Sequence, residues 1–304
     1  MHITYLGTPN FSKRVLKTLV DKGITVNAVV TAEDKPKGRG MKKKPTPVKE
    51  WAVKNSIPVF HDLSATIDET DLVLVAAFGE IINRSDLNKP EYGFLNLHPS
   101  LLPKYRGPTP MQETILNDDE ETGVTIILMD EKIDHGPILS QEKVDLNGDE
   151  YYKDLENELS ILGGKLLAKT VNRWIKGDIK PEPQNHERAT MTGLLTKEDG
   201  RVDWSESAVK IERKIRAYNP WPGVFSKTTN GKLLKFFKAN TQKQTSSGPF
   251  GDLGKIYLGT NNKIAIQTGK NFLLVNELQL EGEKRMNSKA FLRKHEDIIG
   301  EVLN

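Results

Sequence analysis

At 304 residues the chain is long enough for two ordinary domains and long for one. Its net charge of +3 hides an uneven distribution: residues 205–304 hold 17 basic and 9 acidic side chains, and the rest of the chain holds 27 and 32. A basic second half suits an anionic partner, while the absence of cysteine excludes disulfides, thiolate zinc sites and a cysteine nucleophile.

No apolar run approaches the ~20 residues of a membrane helix. Met1–Gly7 reads as a strand and turn rather than a signal peptide, so a soluble cytoplasmic protein is expected. His2–Leu6, Thr25–Thr31, Leu72–Phe78, Phe94–His98 and Thr125–Met129 are short runs rich in Val, Ile and Leu, several of them almost continuously apolar, as strands buried on both faces are. Helical stretches such as Ser12–Lys22 and Val48–Lys54 fall between them. This alternation predicts a parallel sheet covered by helices, the doubly wound α/β class. Leucines 155, 159, 162 and 166 keep helical spacing over Tyr151–Lys176, where Gly163 and Gly164 weaken the middle.

Pro181 and Pro183 break the helical pattern, and a polar stretch runs to Asp203-Trp204-Ser205, read as a linker ending in a helix cap. Ala208, Ile211, Ile215 and Tyr218 then give one apolar helix face. Gly223–Thr228, Leu233–Lys238, Lys255–Leu258, Ile264–Gln267 and Phe272–Leu280 are strand-like. Five strands and a helix in so short a span predict a small β barrel of the OB kind. Trp221, in a Pro-Trp-Pro-Gly turn, reads as a packed hinge rather than a base-stacking platform.

The first strand-to-helix turn, Gly7-Thr8-Pro9-Asn10-Phe11, has one glycine where a dinucleotide fingerprint has three, and no GxxxxGK[ST] loop occurs. The six histidines show no HExxH or similar ligand spacing, so no metal is expected. The chemistry concentrates in Phe94-Leu95-Asn96-Leu97-His98-Pro99. Strand alternation sends Asn96 and His98 to one side, and Pro99 puts His98 at the strand's carboxyl end, where ligands of open α/β sheets bind. The next strand ends near Asp130 and Asp134, which offers a carboxylate to the imidazole. Asn, His and Asp without a nucleophile suit direct acyl transfer to an amine. Asn96 and a protonated His98 would hydrogen-bond the oxyanion, and Asp134 would orient the imidazole and help receive the amine's proton. The plainer alternative is a pair of polar side chains bracing a loop.

Asn96-Leu97-His98-Pro99-Ser100-Leu101-Leu102-Pro103 resembles the N-x-H-P-S-L-L-P signature of the 10-formyltetrahydrofolate-dependent formyltransferases. The resemblance implies a Rossmann-like catalytic domain using Asn96, His98 and Asp134. It also implies folate contacts at Ser100, Leu101, Leu102 and Pro103, and a pterin wall at Phe78, Gly79 and Ile81. No metal is implied. Leu6–Phe11, the insertion Lys35–Lys49, Arg216–Gly223 and Gly282–Met286 resemble the branch of that family that formylates initiator methionyl-tRNA. Residues 1–180 are then the catalytic domain, 181–204 a linker and 205–304 an OB-like tRNA-binding domain, in a chain expected to act as a monomer.

The insertion carries seven basic residues and no acidic one. Its glycines and prolines read as a loop that stays mobile until RNA orders it. Arg39, Lys42, Lys43 and Lys44 there, with Lys210, Arg213 and Lys214 of the second half, are the expected phosphate contacts. His135 stands beside Asp134 where the family usually has Thr, leaving open which imidazole titrates in function, and residues 184–195 match the family poorly. An amino-sugar formyltransferase and a non-enzymatic RNA-binding protein are the rival readings.

Overall fold

The computed structural model describes residues 1–37, 42–243 and 251–304. The chain divides into two compact units. One comprises Met1–Pro110, Glu121–Asp145 and Asp154–Gly193, the other Met111–Glu120, Leu146–Lys153 and Leu194–Asn304.

In chain order the first part contains β1 (Ile3–Gly7), α1 (Asn10–Asp21), β2 (Ala28–Val30), β3 (Lys35–Lys37), β4 (Lys42–Lys44), α2 (Pro47–Lys54), β5 (Val59–Phe60), β6 (Leu72–Ala76), α3 (Arg84–Leu87), β7 (Phe94–His98), α4 (Pro110–Leu116), β8 (Glu121–Leu128), β9 (Ile138–Asp145) and α5 (Tyr152–Ile175). A seven-stranded sheet runs β5-β2-β1-β6-β7-β8-β9. β1 and β6 are buried along their whole length, as their unbroken apolar runs require. α1 lays Phe11, Val15, Leu16 and Leu19 inward at helical spacing. Pro47 opens α2, and the Thr46 hydroxyl caps it by accepting from Lys49 N at 3.1 Å.

The sheet departs from the expected all-parallel arrangement. Five strands, β5 to β7 in sheet order, are parallel, but β8 pairs antiparallel with β7 and β9 antiparallel with β8. β9 was not among the expected strands because Ser140-Gln141-Glu142-Lys143 breaks the apolar pattern, as an edge strand tolerates. The lysine-rich insertion is likewise not bare loop: β3 and β4 pair with Lys35 opposite Lys44 and Pro36 opposite Lys43.

The second unit holds α6 (Ala208–Ala217), β10 (Val224–Lys227), β11 (Leu233–Gln242), β12 (Ile256–Leu258), β13 (Ile264–Gln267), β14 (Phe272–Leu280), β15 (Met286–Asn287) and α7 (Ser288–Leu292). Its antiparallel sheet runs β10-β11-β14-β13-β12, with β15 beside β14. Among the described residues β10 and β12 do not pair with each other, so strand pairing does not close this sheet into the expected barrel. The last residues nevertheless run along both of them: Lys227 N donates to Asn304 O and Asn304 N to Lys227 O, each at 2.9 Å, and Ile256 N donates to Glu301 O at 2.8 Å. α6, capped by the Ser207 hydroxyl, buries Ala208, Ile211 and Ile215 and packs against β11 and β14. Trp204, edge-on to Phe236 at 5.9 Å, donates from Nε1 to Ser226 Oγ at 3.1 Å, so the start of this unit belongs to its core. Trp221 does not pack as a hinge would: it is 58% exposed.

Candidate active site

The ladder on both sides of β7 fixes its two polar side chains. Asn96 lies opposite Val75 of β6 and Ile127 of β8, and His98 opposite Thr125. Leu95 and Leu97, on the other face, are buried. Asp134 comes from the loop between β8 and β9. Because β8 is antiparallel, its end lies beside the start of β7, with Leu128 opposite Leu95, and the loop has to return along the strand. It does so with Asp134 in the left-handed region at φ 48°.

The carboxylate is the hub of the arrangement. Asp134 Oδ1 accepts from Asn96 Nδ2 at 3.1 Å, and Oδ2 accepts from Gly107 N at 2.8 Å. His98 Nδ1 stands 3.4 Å from the same Oδ2. Accepting from two N–H groups suits an ionised carboxylate. His98, only 4% exposed, places Nε2 2.8 Å from the Tyr105 carbonyl. A carbonyl only accepts, so Nε2 carries the hydrogen. Asn96 is half-buried, and among the described residues its second amide hydrogen has no protein partner.

Gly107, whose N–H joins the hub, has φ +107°, and a Cβ there would stand 2.7 Å from the Thr192 carbonyl oxygen. Only glycine fits this position. It lies four residues beyond the Asn96–Pro103 motif and has no role in the sequence reading, because nothing in a sequence says where one N–H points.

The turn after β7 is pinned by Thr125. Its hydroxyl donates to Ser100 O at 2.6 Å and accepts from Leu102 N at 3.1 Å and Gln141 Nε2 at 2.9 Å. Ser100 Oγ donates to Lys104 O at 2.6 Å. Ser100 and Leu102 are therefore buried parts of the turn, whereas Leu101 and Pro103 remain partly open. On the loop after β6, Phe78 packs against the cluster containing Leu6, Val75 and Phe94. Gly79 takes φ +86°, and Ile81 is 90% exposed.

His135 is turned to Asp130, with Nδ1 2.6 Å from Oδ2, and its ring stacks on that of His186 at 4.0 Å. Among the described residues no group of three His, Asp or Glu is placed to hold a metal. Of the basic residues, Arg39 lies outside the described residues, and Lys42 is placed only as a backbone position in β4. Lys43 and Lys44 are exposed. Lys210 and Lys214 both reach Glu206 at 2.7 Å, and Arg213 pairs with Asp118. Burial alone would push the Glu206 carboxyl up, but hydrogen bonds from the two lysines outweigh it and hold Glu206 below its usual range.

The Formyl transferase family matches residues 1–171, and the Formyl transferase, C-terminal domain family matches residues 194–296. A methionyl-tRNA formyltransferase of Agathobacter rectalis is 41% identical over 302 residues, covering 96% of each chain. One from Roseiflexus castenholzii is 42% identical over 304 residues, again covering 96% of each. Among solved structures, an N-formyltransferase from Helicobacter canadensis, in complex with folinic acid and dTDP-3-aminofucose, superposes with a TM-score of 0.68 at 20% identity, over 90% of this chain and 98% of that one. HypX of Aquifex aeolicus, in complex with tetrahydrofolic acid, gives 0.65 at 20% identity over 96% of this chain and 47% of its own. The chain therefore belongs to the formyl transferase family, and along nearly its whole length it groups with the methionyl-tRNA formyltransferases.

Proposed function

We propose that this chain passes the formyl group of 10-formyltetrahydrofolate to the α-amino group of initiator methionyl-tRNA, and that Asn96, His98 and Asp134 carry the transfer. The observation behind the site assignment is the Asp134 carboxylate, which meets Asn96, His98 and Gly107 at one point at the carboxyl end of β7. The folate supplies the formyl carbon and takes a proton back at N10.

Asn96 is oriented by Asp134, so its remaining N–H is held ready for the oxyanion that forms as the amine adds to the formyl carbon. A single donor of this kind is worth roughly 3–4 kcal/mol. His98 has its Nε2–H committed to Tyr105 O, so its free chemistry is at Nδ1. There it works with Asp134 as the pair that takes the proton leaving the amine and hands it on toward N10. Leu101, Pro103 and Ile81 offer apolar surface to the folate. Gly79 and the buried Ser100 and Leu102 would shape that surface through backbone, and Phe78 would support it from behind.

The basic insertion, Arg39 with Lys42, Lys43 and Lys44, would hold the acceptor arm through phosphates. The second unit, read as an OB-like module, would add Lys210, Arg213 and Lys214. We place the enzyme in a cytoplasm, acting as a monomer, which sedimentation would check.

The deciding experiment is a formyl-transfer assay with 10-formyltetrahydrofolate and methionyl-initiator-tRNA, with free methionine and a nucleotide-linked amino sugar as alternative acceptors. The charged tRNA should be formylated and the other acceptors should not. His98→Ala should abolish turnover while the fold and tRNA binding stay intact. Wild-type turnover by that variant would remove His98 from the mechanism, and transfer to the sugar alone would move the acceptor.

A further inference from the structure

Residues 181–193 read as linker in the sequence, yet within the first unit they are hydrogen-bonded to both loops around the trio. Glu182 exchanges backbone hydrogen bonds of 2.7 and 2.9 Å with Ile138, just past the Asp134 loop. On the other loop, Tyr105 N donates to Thr190 Oγ1 at 2.8 Å, Arg106 N to Thr190 O at 2.8 Å, and Thr192 N to Arg106 O at 2.7 Å. Between these anchors sits Gln184, 5% exposed. Its amide nitrogen donates to Asp134 O at 2.9 Å and to Gly136 O at 2.7 Å. Its amide oxygen accepts from Arg106 Nε at 3.1 Å and Nη2 at 2.7 Å.

Both amide hydrogens and both lone pairs of Gln184 are thus used. The orientation is unambiguous, because a guanidinium only donates and a backbone carbonyl only accepts. Arg106, 6% exposed, has its charge out of water and needs that oxygen. The amide therefore joins two things that must stay in register. One is the left-handed Asp134 backbone. The other is the Arg106-Gly107 segment, whose next N–H donates to the Asp134 carboxylate.

We infer that Gln184 is a positioning residue for formyl transfer, holding the Asp134 loop and the Gly107 N–H in the geometry that lets Asp134 orient Asn96 and face His98. This rests on the assignment of the trio proposed above. Gln184→Glu is the discriminating variant. It keeps an oxygen partner for Arg106, and it presents an oxygen without a hydrogen to the Asp134 and Gly136 carbonyls. Gln184→Ala also takes from Arg106 the oxygen that accepts from both Nε and Nη2, leaving it the contact with His186 Nδ1, so if that protein does not fold the glutamate variant alone carries the test.

For Gln184→Glu, kcat should fall roughly a hundredfold, the cost of a misplacement on the order of an ångström. Both KM values should stay within about threefold, since the loss is confined to the transition state. The acid limb of the kcat–pH profile should move, because the His98–Asp134 contact is altered. The melting temperature should fall by less than would unfold the protein at the assay temperature, since two buried carbonyls lose their donor. Asp134→Asn is run alongside. If it is inactive while Gln184→Glu turns over normally with an unchanged pH profile, the positioning role is wrong and the trio stands. A Gln184→Glu protein that loses activity only in proportion to a lowered melting temperature, with the profile unmoved, also overturns the role. If Asp134→Asn turns over like wild type, the trio assignment itself fails.

Discussion

His186 is the one histidine near the site whose titration the structure visibly biases. Its Nδ1 accepts from Arg106 Nη2 at 2.8 Å, and its ring lies against that of His135. Loss of hydration against these neighbours, then the nearby cations His135, Arg106 and Lys132, hold its pKa below the ordinary imidazole value. The unfolded chain therefore takes the proton first. His186 is exposed, so solvent screens this effect and its contribution to stability is small; it is complete above about pH 6.5 and is lost as the pH falls from there toward the lower folded value. His186→Gln, which keeps an acceptor and removes the titration, should flatten the fall in melting temperature between about pH 7.5 and pH 5.5. An equally steep fall in wild type and variant would show that residues 181–193 do not sense this proton. At this scale the sequence disclosed what alternation on one strand discloses, the shared side of Asn96 and His98. Asp134 was legible as a carboxylate nearby, but the route by which it arrives was not, since it depends on a strand direction. Gln184 and Gly107 were hidden for a simpler reason: they act on or through backbone groups, which every residue has.

At the scale of elements, two glycines let α5 pack tightly against β7 and α1. α5 crosses near β7 and α1: a Cβ at Gly163 would stand 2.5 Å from Leu97 Cδ1, and one at Gly164 2.7 Å from Thr18 Cβ. In the Gly163-Gly164 pair, a weak point for a helix in isolation, Gly163 admits Leu97, the residue between Asn96 and His98, and Gly164 admits Thr18 of α1. Two effects then oppose each other in Gly163→Ala. Helix propensity favours alanine by about 1 kcal/mol, while overpacking a tight interior costs typically 1–3 kcal/mol. The contact is short enough for the second to win, so thermal melting should show a destabilised protein with reduced turnover, and a raised melting temperature would mean that Leu97 simply swings aside. The buried strands were readable from their apolar runs. β9 was not, because its exposed side chains alternate into polar residues. The β3–β4 pairing was not either, because a lysine-rich hairpin has no apolar pattern to announce it.

Across the whole molecule the charge asymmetry is real in sequence, but folding changes what it is worth. Lys210, Arg213 and Lys214, the cations of α6 expected to meet phosphate, are each engaged by Glu206 or Asp118. The hydrogen bond to Glu206 also raises the Lys210 pKa, as a held cation requires. A phosphate would have to displace a carboxylate already in place, so each should add little net affinity. Lys43 and Lys44 on β4 are exposed, and an RNA backbone would meet them without that exchange. The expected outcome is a separation by position. KM for methionyl-tRNA should rise steeply with salt while KM for the folate stays nearly flat. Each phosphate contact contributes about 0.7–0.9 to the logarithmic slope. Lys43→Ala with Lys44→Ala should reduce that slope by about one to two units, whereas Lys210→Ala with Lys214→Ala should leave it nearly unchanged. Measuring tRNA KM from low to moderate salt in the two double variants decides the matter. If the α6 pair lowers the slope as much as the hairpin pair, the second unit grips phosphate directly and its ion pairs open on binding.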